Sequence, residues 1–128
     1  MIFGTGVDIV EVFRLRDAIG RWGDSFLKKV FTEREIEYSN SHRFSPQHFA
    51  ARFAAKEAVM KAFGEPRKFT NWTDIEVLND GEGKPSIVFH GDALKLKRSK
   101  KVTDIIVSMS HSKNYAVANV ILLQKGKR

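Results

Sequence analysis

The sequence predicts an α+β fold: one small domain over residues 1–128, with a mostly antiparallel sheet and helices packed on it. Three observations carry that prediction. The first ten residues read as a strand, the middle of the chain reads as helices, and the second half reads mainly as strands joined by turns. A length of 128 residues suits one domain with a modest core. The 42% hydrophobic and 29% charged residues are ordinary for a soluble globular chain.

Ile2 to Val10 is rich in β-branched residues and alternates in part. One face carries Ile2, Gly4, Gly6, Asp8 and Val10; the other carries Phe3, Thr5, Val7 and Ile9. A helix follows, with Val12, Leu15 and Ile19 at helical spacing and Arg14 and Arg21 sharing another face. Gly20 and Gly23 weaken this stretch and leave its end open. In "TERE", Thr32 and Glu35 form a capping box that opens a helix toward Tyr38. "SNSHRFSP" reads as a loop, and Ser45-Pro46 as the N-cap and first residue of a long helix. That helix runs to Gly64, a suitable C-terminal cap, with Pro66 beyond it. "WTDIEVL" alternates as a strand and ends at the turn "NDGEGKP". "PSIVFH" is the next strand, and a short helix lies near "DALKLKRS". "TDIIVSMSH" and "YAVANVILL" form a hairpin across "SKN", and the polar tail "QKGKR" reads as frayed. No repeat, low-complexity segment or linker interrupts the chain.

The chain has no cysteine, so no disulfide and no thiol chemistry, which fits a reducing compartment and a cytoplasmic location. "MIFGTGVDIV" lacks a basic leader and soon meets Asp8, so a signal peptide is not expected. No apolar run approaches the roughly 20 residues that span a bilayer, so no membrane partner is expected. The net charge of +7 suits a nucleic acid, an anionic cofactor or an acidic protein. Composition does not choose among them.

The stretch "FAARFAAKEAVMKAFG", Phe49 to Gly64, narrows the choice. On a helical wheel Phe49, Phe53, Met60 and Phe63 form one apolar sector. Ala50, Ala51, Ala54, Ala55, Ala58 and Ala62 form another, and no clean polar face remains. Such a helix is buried on most sides, so Arg52, Lys56, Glu57 and Lys61 belong in clefts or interfaces. Glu57 and Lys61 stand four apart in the order that favours an ion pair. That pair does not account for Arg52 and Lys56. The alternative is a polyanion site in which one carboxylate holds a metal. Asp8 is a second carboxylate, inside an apolar strand beside Gly4 and Gly6, and strand glycines mark the close approach of a ligand or another backbone. The other reading of Asp8 is a strand end that caps the next helix. Asp8 and Glu57 together offer hard oxygen donors, which suit magnesium completed by water and substrate phosphates. Manganese favours the same ligands. With no cysteine and no paired histidines at ligand spacing, a zinc site is not expected. His111, beside Ser110 and Ser112 at a strand end, suits either a structural role or a phosphate contact.

The segments "GVDIVEVFRL", "FTEREI", "FAARFAAKEAVMKAF", "WTDIEVLNDGEGKP" and "VSMSHSKNYAVANVIL" occur in this order and spacing. Together, over nearly the whole chain, they resemble the holo-acyl-carrier-protein synthases, a 4′-phosphopantetheinyl transferase family. The resemblance implies that family's fold and transfer of the phosphopantetheine arm of coenzyme A to a serine of an apo acyl carrier protein. Adenosine 3′,5′-bisphosphate leaves, and the holo carrier serves fatty acid synthesis. It implies that Asp8 and Glu57 hold magnesium on the diphosphate. Lys61 contacts the reacting phosphates, and Arg52 and His111 lie near the nucleotide end of coenzyme A. The serine proton goes to Glu57 or to a metal-bound water. The resemblance also implies a homotrimer with active sites between subunits, so that part of the helix without a polar face lines a subunit boundary. One departure stands out: this chain has Glu65-Pro66 where the family commonly has Thr-Gly, which alters the backbone donors beside the phosphates. Because acyl carrier proteins are acidic, Arg14 and Arg21, followed by Lys28 and Lys29, offer a complementary docking face.

The competing class is a nucleic-acid-binding module, favoured by the basic charge and common aromatics. The aromatic-rich ribonucleoprotein strand signature and zinc-finger spacing are both missing, and the basic residues are scattered apart from "KLKRSKK" at Lys95 to Lys101. No nucleic-acid partner is expected. Tight binding lost steeply with salt would mark that class.

Overall fold

The computed structural model describes residues 1–126. The chain runs β1 (Ile2–Glu11), α1 (Val12–Trp22), α2 (Asp24–Val30), α3 (Glu33–Asn40), α4 (Ser45–Phe63), β2 (Ile75–Asn79), β3 (Pro85–Phe89), α5 (Gly91–Ser99), β4 (Asp104–His111) and β5 (Tyr115–Leu123). The α+β class holds, and strand pairing is antiparallel throughout the described residues. The strands form two sheets: a three-stranded sheet in the order β1-β5-β4, and a separate β2-β3 hairpin. Side chains take the polar groups on the outer edge of β2. The Val77 N–H donates to Glu35 (2.8 Å), and the Ile75 carbonyl accepts from Lys56 Nζ (2.6 Å). An edge already satisfied in this way does not recruit another strand.

α4 lies across the inner face of the three-stranded sheet, against β1 and β5. Gly4 and Gly6 make that contact possible. A Cβ on Gly4 would sit 2.1 Å from the Ala62 carbonyl oxygen, and one on Gly6 would sit 2.0 Å from that of Ala58. The close approach at these glycines is therefore to another backbone. The alanines of α4 supply the thin surface on the helix side: Ala54, Ala55 and Ala58 are fully buried between the sheet and the rest of the core. Val10, Ala116, Ala118, Val120 and Leu122 complete this interface from the sheet.

Local signals explain most boundaries. The Thr32–Glu35 capping box forms in both directions, and Gly64 ends α4 in the left-handed region at φ 73°. Three boundaries differ from expectation. α4 begins at Ser45 with Phe44 as its cap, one residue earlier than Ser45-Pro46 implied. Pro46 is tolerated at the second position as readily as the first, because neither N–H has an intrahelical acceptor. Gly23, at φ 55°, breaks the first helical stretch and starts the separate helix α2. Trp72–Asp74 is a 3-10 turn, and β2 begins only at Ile75. Trp72 stacks on Phe53 at 4.9 Å, and its carbonyl accepts from Lys56 Nζ at 3.1 Å, which holds this segment out of the ladder. In the tail, Gln124 is pinned by its backbone N–H to the Met1 carbonyl (2.8 Å) and by its side chain to the Lys100 carbonyl (2.6 Å). Fraying thus does not begin at "Q"; Lys127 and Arg128 lie outside the described residues.

Candidate functional site

Asp8 is an interior residue of β1, which continues to Glu11, so it neither ends the strand nor caps α1. The alternation of β1 turns Asp8 inward with Gly6 and Val10, toward α4. It is only 8% exposed. Its Oδ1 accepts from Lys61 Nζ at 2.7 Å. Its Oδ2 is buried without a hydrogen-bond partner among the described residues. Lys61 therefore pairs with Asp8 across the helix–sheet boundary, and the Glu57–Lys61 pair along α4 does not form. Glu57 is half-buried beside Asp8. Burial and then the Asp8 carboxylate push its carboxyl above the usual range, while Lys61 and Arg14 pull the other way. The Asp8 hydrogen bond in turn holds the Lys61 ammonium above its ordinary value.

Two carboxylates crowd here, and among the described residues the buried Asp8 Oδ2 has no donor in reach except a protonated Glu57 carboxyl. A buried polar atom of this kind is costly unless a ligand or water completes it. The donor set is oxygen only. Among the described residues, no group of three or more His, Cys, Asp or Glu is placed to hold a metal. The pair thus fits a hard divalent cation that takes its remaining ligands from water and phosphate, and does not fit zinc.

Arg52 and His111 meet elsewhere. They share a cavity of about 160 Å³ with Tyr38, His48 and Asn79. Arg52 is 1% exposed, with its guanidinium 4.2 Å over the Tyr38 ring. It donates to the His48 carbonyl (3.1 Å) and to the Asn79 side chain, and its Nε has no partner. Both of its acceptors are neutral, so this buried cation has no carboxylate in contact among the described residues. The strand order separates this cavity from the carboxylates. Asp8 stands on β1 and His111 on β4, the two edge strands, with β5 between them. α4 sends Lys61 to the β1 side and His48 to the β4 side.

Lys56 does not belong to any polyanion site. It is wholly buried, donating to Glu35 (2.8 Å) and to the carbonyls of Trp72 and Ile75. Lys56 is a core cation whose counter-charge is Glu35. Arg14 and Arg21 are exposed on α1; Arg21 pairs with Asp17 at 3.1 Å, and Arg14 lies close enough to Glu57 to act on its charge. At the Glu65-Pro66 departure, Glu65 pairs with Lys100 (2.8 Å) and Lys68 (3.4 Å), and Pro66 opens a 3-10 turn. This loop is thereby tied to α5. Sequence reasoning missed Tyr38, His48 and Asn79. The i, i+4 spacing of His48 and Arg52 on one helix was an available signal; nothing local marks Tyr38 or Asn79.

Residues 4–120 match the family model described as the 4′-phosphopantetheinyl transferase superfamily. A holo-[acyl-carrier-protein] synthase of Koribacter versatilis is 47% identical over 123 residues, covering 95% of this chain and 98% of that protein. The crystal structure of the holo-[acyl-carrier-protein] synthase of Neisseria meningitidis superposes with a TM-score of 0.88 at 27% identity, over 97% of this chain and all of that one. A holo-(acyl-carrier-protein) synthase of Bacillus anthracis, solved in complex with CoA (3′,5′-ADP), gives 0.77 at 33% identity over 98% of this chain and 99% of that one.

Proposed function

This chain belongs to the 4′-phosphopantetheinyl transferase superfamily, and we infer from that membership that it acts as a holo-acyl-carrier-protein synthase. It moves the phosphopantetheine arm of coenzyme A to a serine of an apo acyl carrier protein and releases adenosine 3′,5′-bisphosphate. The observation that carries the site assignment is the Asp8–Glu57 pair with its unsatisfied buried oxygen, flanked by Lys61. Release of adenosine 3′,5′-bisphosphate from coenzyme A only when an apo carrier protein is present tests the reaction.

Asp8 and Glu57 hold magnesium in this reading, and manganese would satisfy the same oxygens. The bound cation supplies neutralisation of the diphosphate charge. Lys61, whose side chain is 55% exposed, can swing from Asp8 to a phosphate oxygen and stabilise charge on the leaving group. The serine proton passes to the Glu57 carboxylate or to a water held by the cation. The nucleotide end of coenzyme A lies in the Arg52–His111 cavity, where a phosphate gives the buried guanidinium its missing counter-charge.

These two halves stand on the two edge strands of one sheet, and in the proposed assembly neighbouring chains supply them to one site. The outer face of that sheet is uncovered and carries an apolar cluster among polar residues. Ile9, Val7, Ile106, Tyr115 and Val117 are all exposed there, with Ile9 opposite Val117 in register. Such a face marks an interface. A homotrimer with sites between subunits is the proposed assembly, in a cytoplasmic setting. Light scattering should give three times the chain mass. Ile9→Glu, at 65% exposure in the lone chain, should shift it toward one while leaving the helical content unchanged. A wild-type monomer would contradict the assembly.

Arg14 is proposed, with Arg21, to receive the acidic carrier protein. Rim charges of this kind chiefly speed and orient encounter. Arg14→Glu is expected to raise KM for the carrier protein about tenfold, a cost of roughly 1.4 kcal/mol, with KM for coenzyme A unchanged. Unchanged values for both substrates would remove Arg14 from the docking face.

A further inference from the structure

Three of the chain's four histidines converge where no spacing in the sequence announces them. The His48 ring lies 4.7 Å from that of His42 and 5.0 Å from that of His111. The Tyr38 ring is 4.3 Å from His42 and 6.1 Å from His48. His48 faces Arg52 from its own helix, Tyr38 from α3, His42 from the following loop and His111 from the end of β4. The β2–β3 side of the cavity adds Asn79, Gly83 and Pro85, none of them charged. Among the described residues no carboxylate lines this cavity. Burial first, and then His111, His42 and Arg52, bring the His48 imidazole from its ordinary 6.5 down to about 4. The ring is therefore neutral near pH 7, beside a buried guanidinium that lacks an anion.

We propose that His48 is a proton-coupled positioning residue of this cavity: a phosphate seated against Arg52 and His111 binds together with one proton, which the His48 imidazole takes from solvent. This rests on the reading that the nucleotide end of coenzyme A occupies the cavity. The physical basis is charge balance. A dianion cancels the field of Arg52, so the imidazolium becomes the favoured form and donates to the anion. Linkage sets the sign: while the phosphate is a dianion, above its second pKa of about 6, affinity rises as pH falls, by at most about tenfold per pH unit for one proton. An adenine nucleotide without the 3′-phosphate lacks the charge that draws the proton.

The experiment is calorimetric titration of the full chain with adenosine 3′,5′-bisphosphate at pH 6.5, in two buffers of different ionisation enthalpy. His48→Phe and His48→Gln are measured alongside; both keep the His48 carbonyl that Arg52 uses. Net proton uptake in the wild type, reduced severalfold in both variants, is the expected result. No uptake in the wild type, or equal uptake in either variant, overturns the proposal while leaving the nucleotide site standing. No binding of the bisphosphate at all overturns the nucleotide-site reading, and this inference with it.

Discussion

Asp8→Ala and Glu57→Gln are each expected to lower phosphopantetheine transfer at least about a hundredfold, the scale on which losing one group that stabilises developing charge is felt. Neither change should unfold the protein. Glu57→Gln is nearly isosteric at a half-buried position, and Asp8→Ala removes a carboxylate whose Oδ2 is buried without a partner. The Asp8–Lys61 bond is lost with it, but Lys61 is largely exposed and is re-solvated by water. Single-turnover transfer at saturating coenzyme A, with thermal unfolding as the control, reads both effects. Turnover near wild type in either variant would remove that carboxylate from the site. A loss of activity that tracks a loss of folding would make its role structural.

The largest stability effect is expected at Lys56. Lys56→Met leaves the Glu35 carboxylate fully buried without its cation, and breaking such a pair typically costs about 3–5 kcal/mol. Glu35 keeps its bonds from the Thr32 and Val77 N–H groups, so the fold is weakened around α3 and β2 first. Burial pushes the Lys56 ammonium below its ordinary value, and Glu35 opposes that shift. The double variant Glu35→Gln/Lys56→Met should recover part of the loss, because Glu35 no longer leaves an unpaired charge in the core. Urea denaturation of the two singles and the double measures the coupling. A Lys56→Met chain within about 1 kcal/mol of wild type would contradict a core role.

Three local signals in the sequence are physically strong, and the structure realises each of them. The capping box at Thr32, the αL glycine at position 64 and the alternation of β1 are each decided within a few residues. The absence of a polar face on α4 also told the truth about burial. What it could not tell was the partner of each charge. Lys56 and Lys61 are five apart on one helix, yet one is neutralised by Glu35 in the core and the other meets Asp8 at a surface cleft. The difference is set by α3 and β1, which are remote in sequence. For the same reason a single sheet was expected. β2 reads as an ordinary strand, and nothing local shows that Glu35 and Lys56 cap its outer edge. Asp8 was legible because a carboxylate among apolar strand residues needs a reason. Arg52 and His111 are legible in the sequence but their cavity is not, since Tyr38 and Asn79 come from two further places in the chain and only His48 shares a helix with Arg52.

The most direct test of the central claim is intact-mass spectrometry of an apo acyl carrier protein incubated with this chain, coenzyme A and magnesium, with a chelator control. The account predicts a gain of one phosphopantetheine group on the carrier protein, lost when the chelator is present. No gain with a competent carrier protein would contradict the transferase assignment, and a gain undiminished by the chelator would contradict the metal role of Asp8 and Glu57.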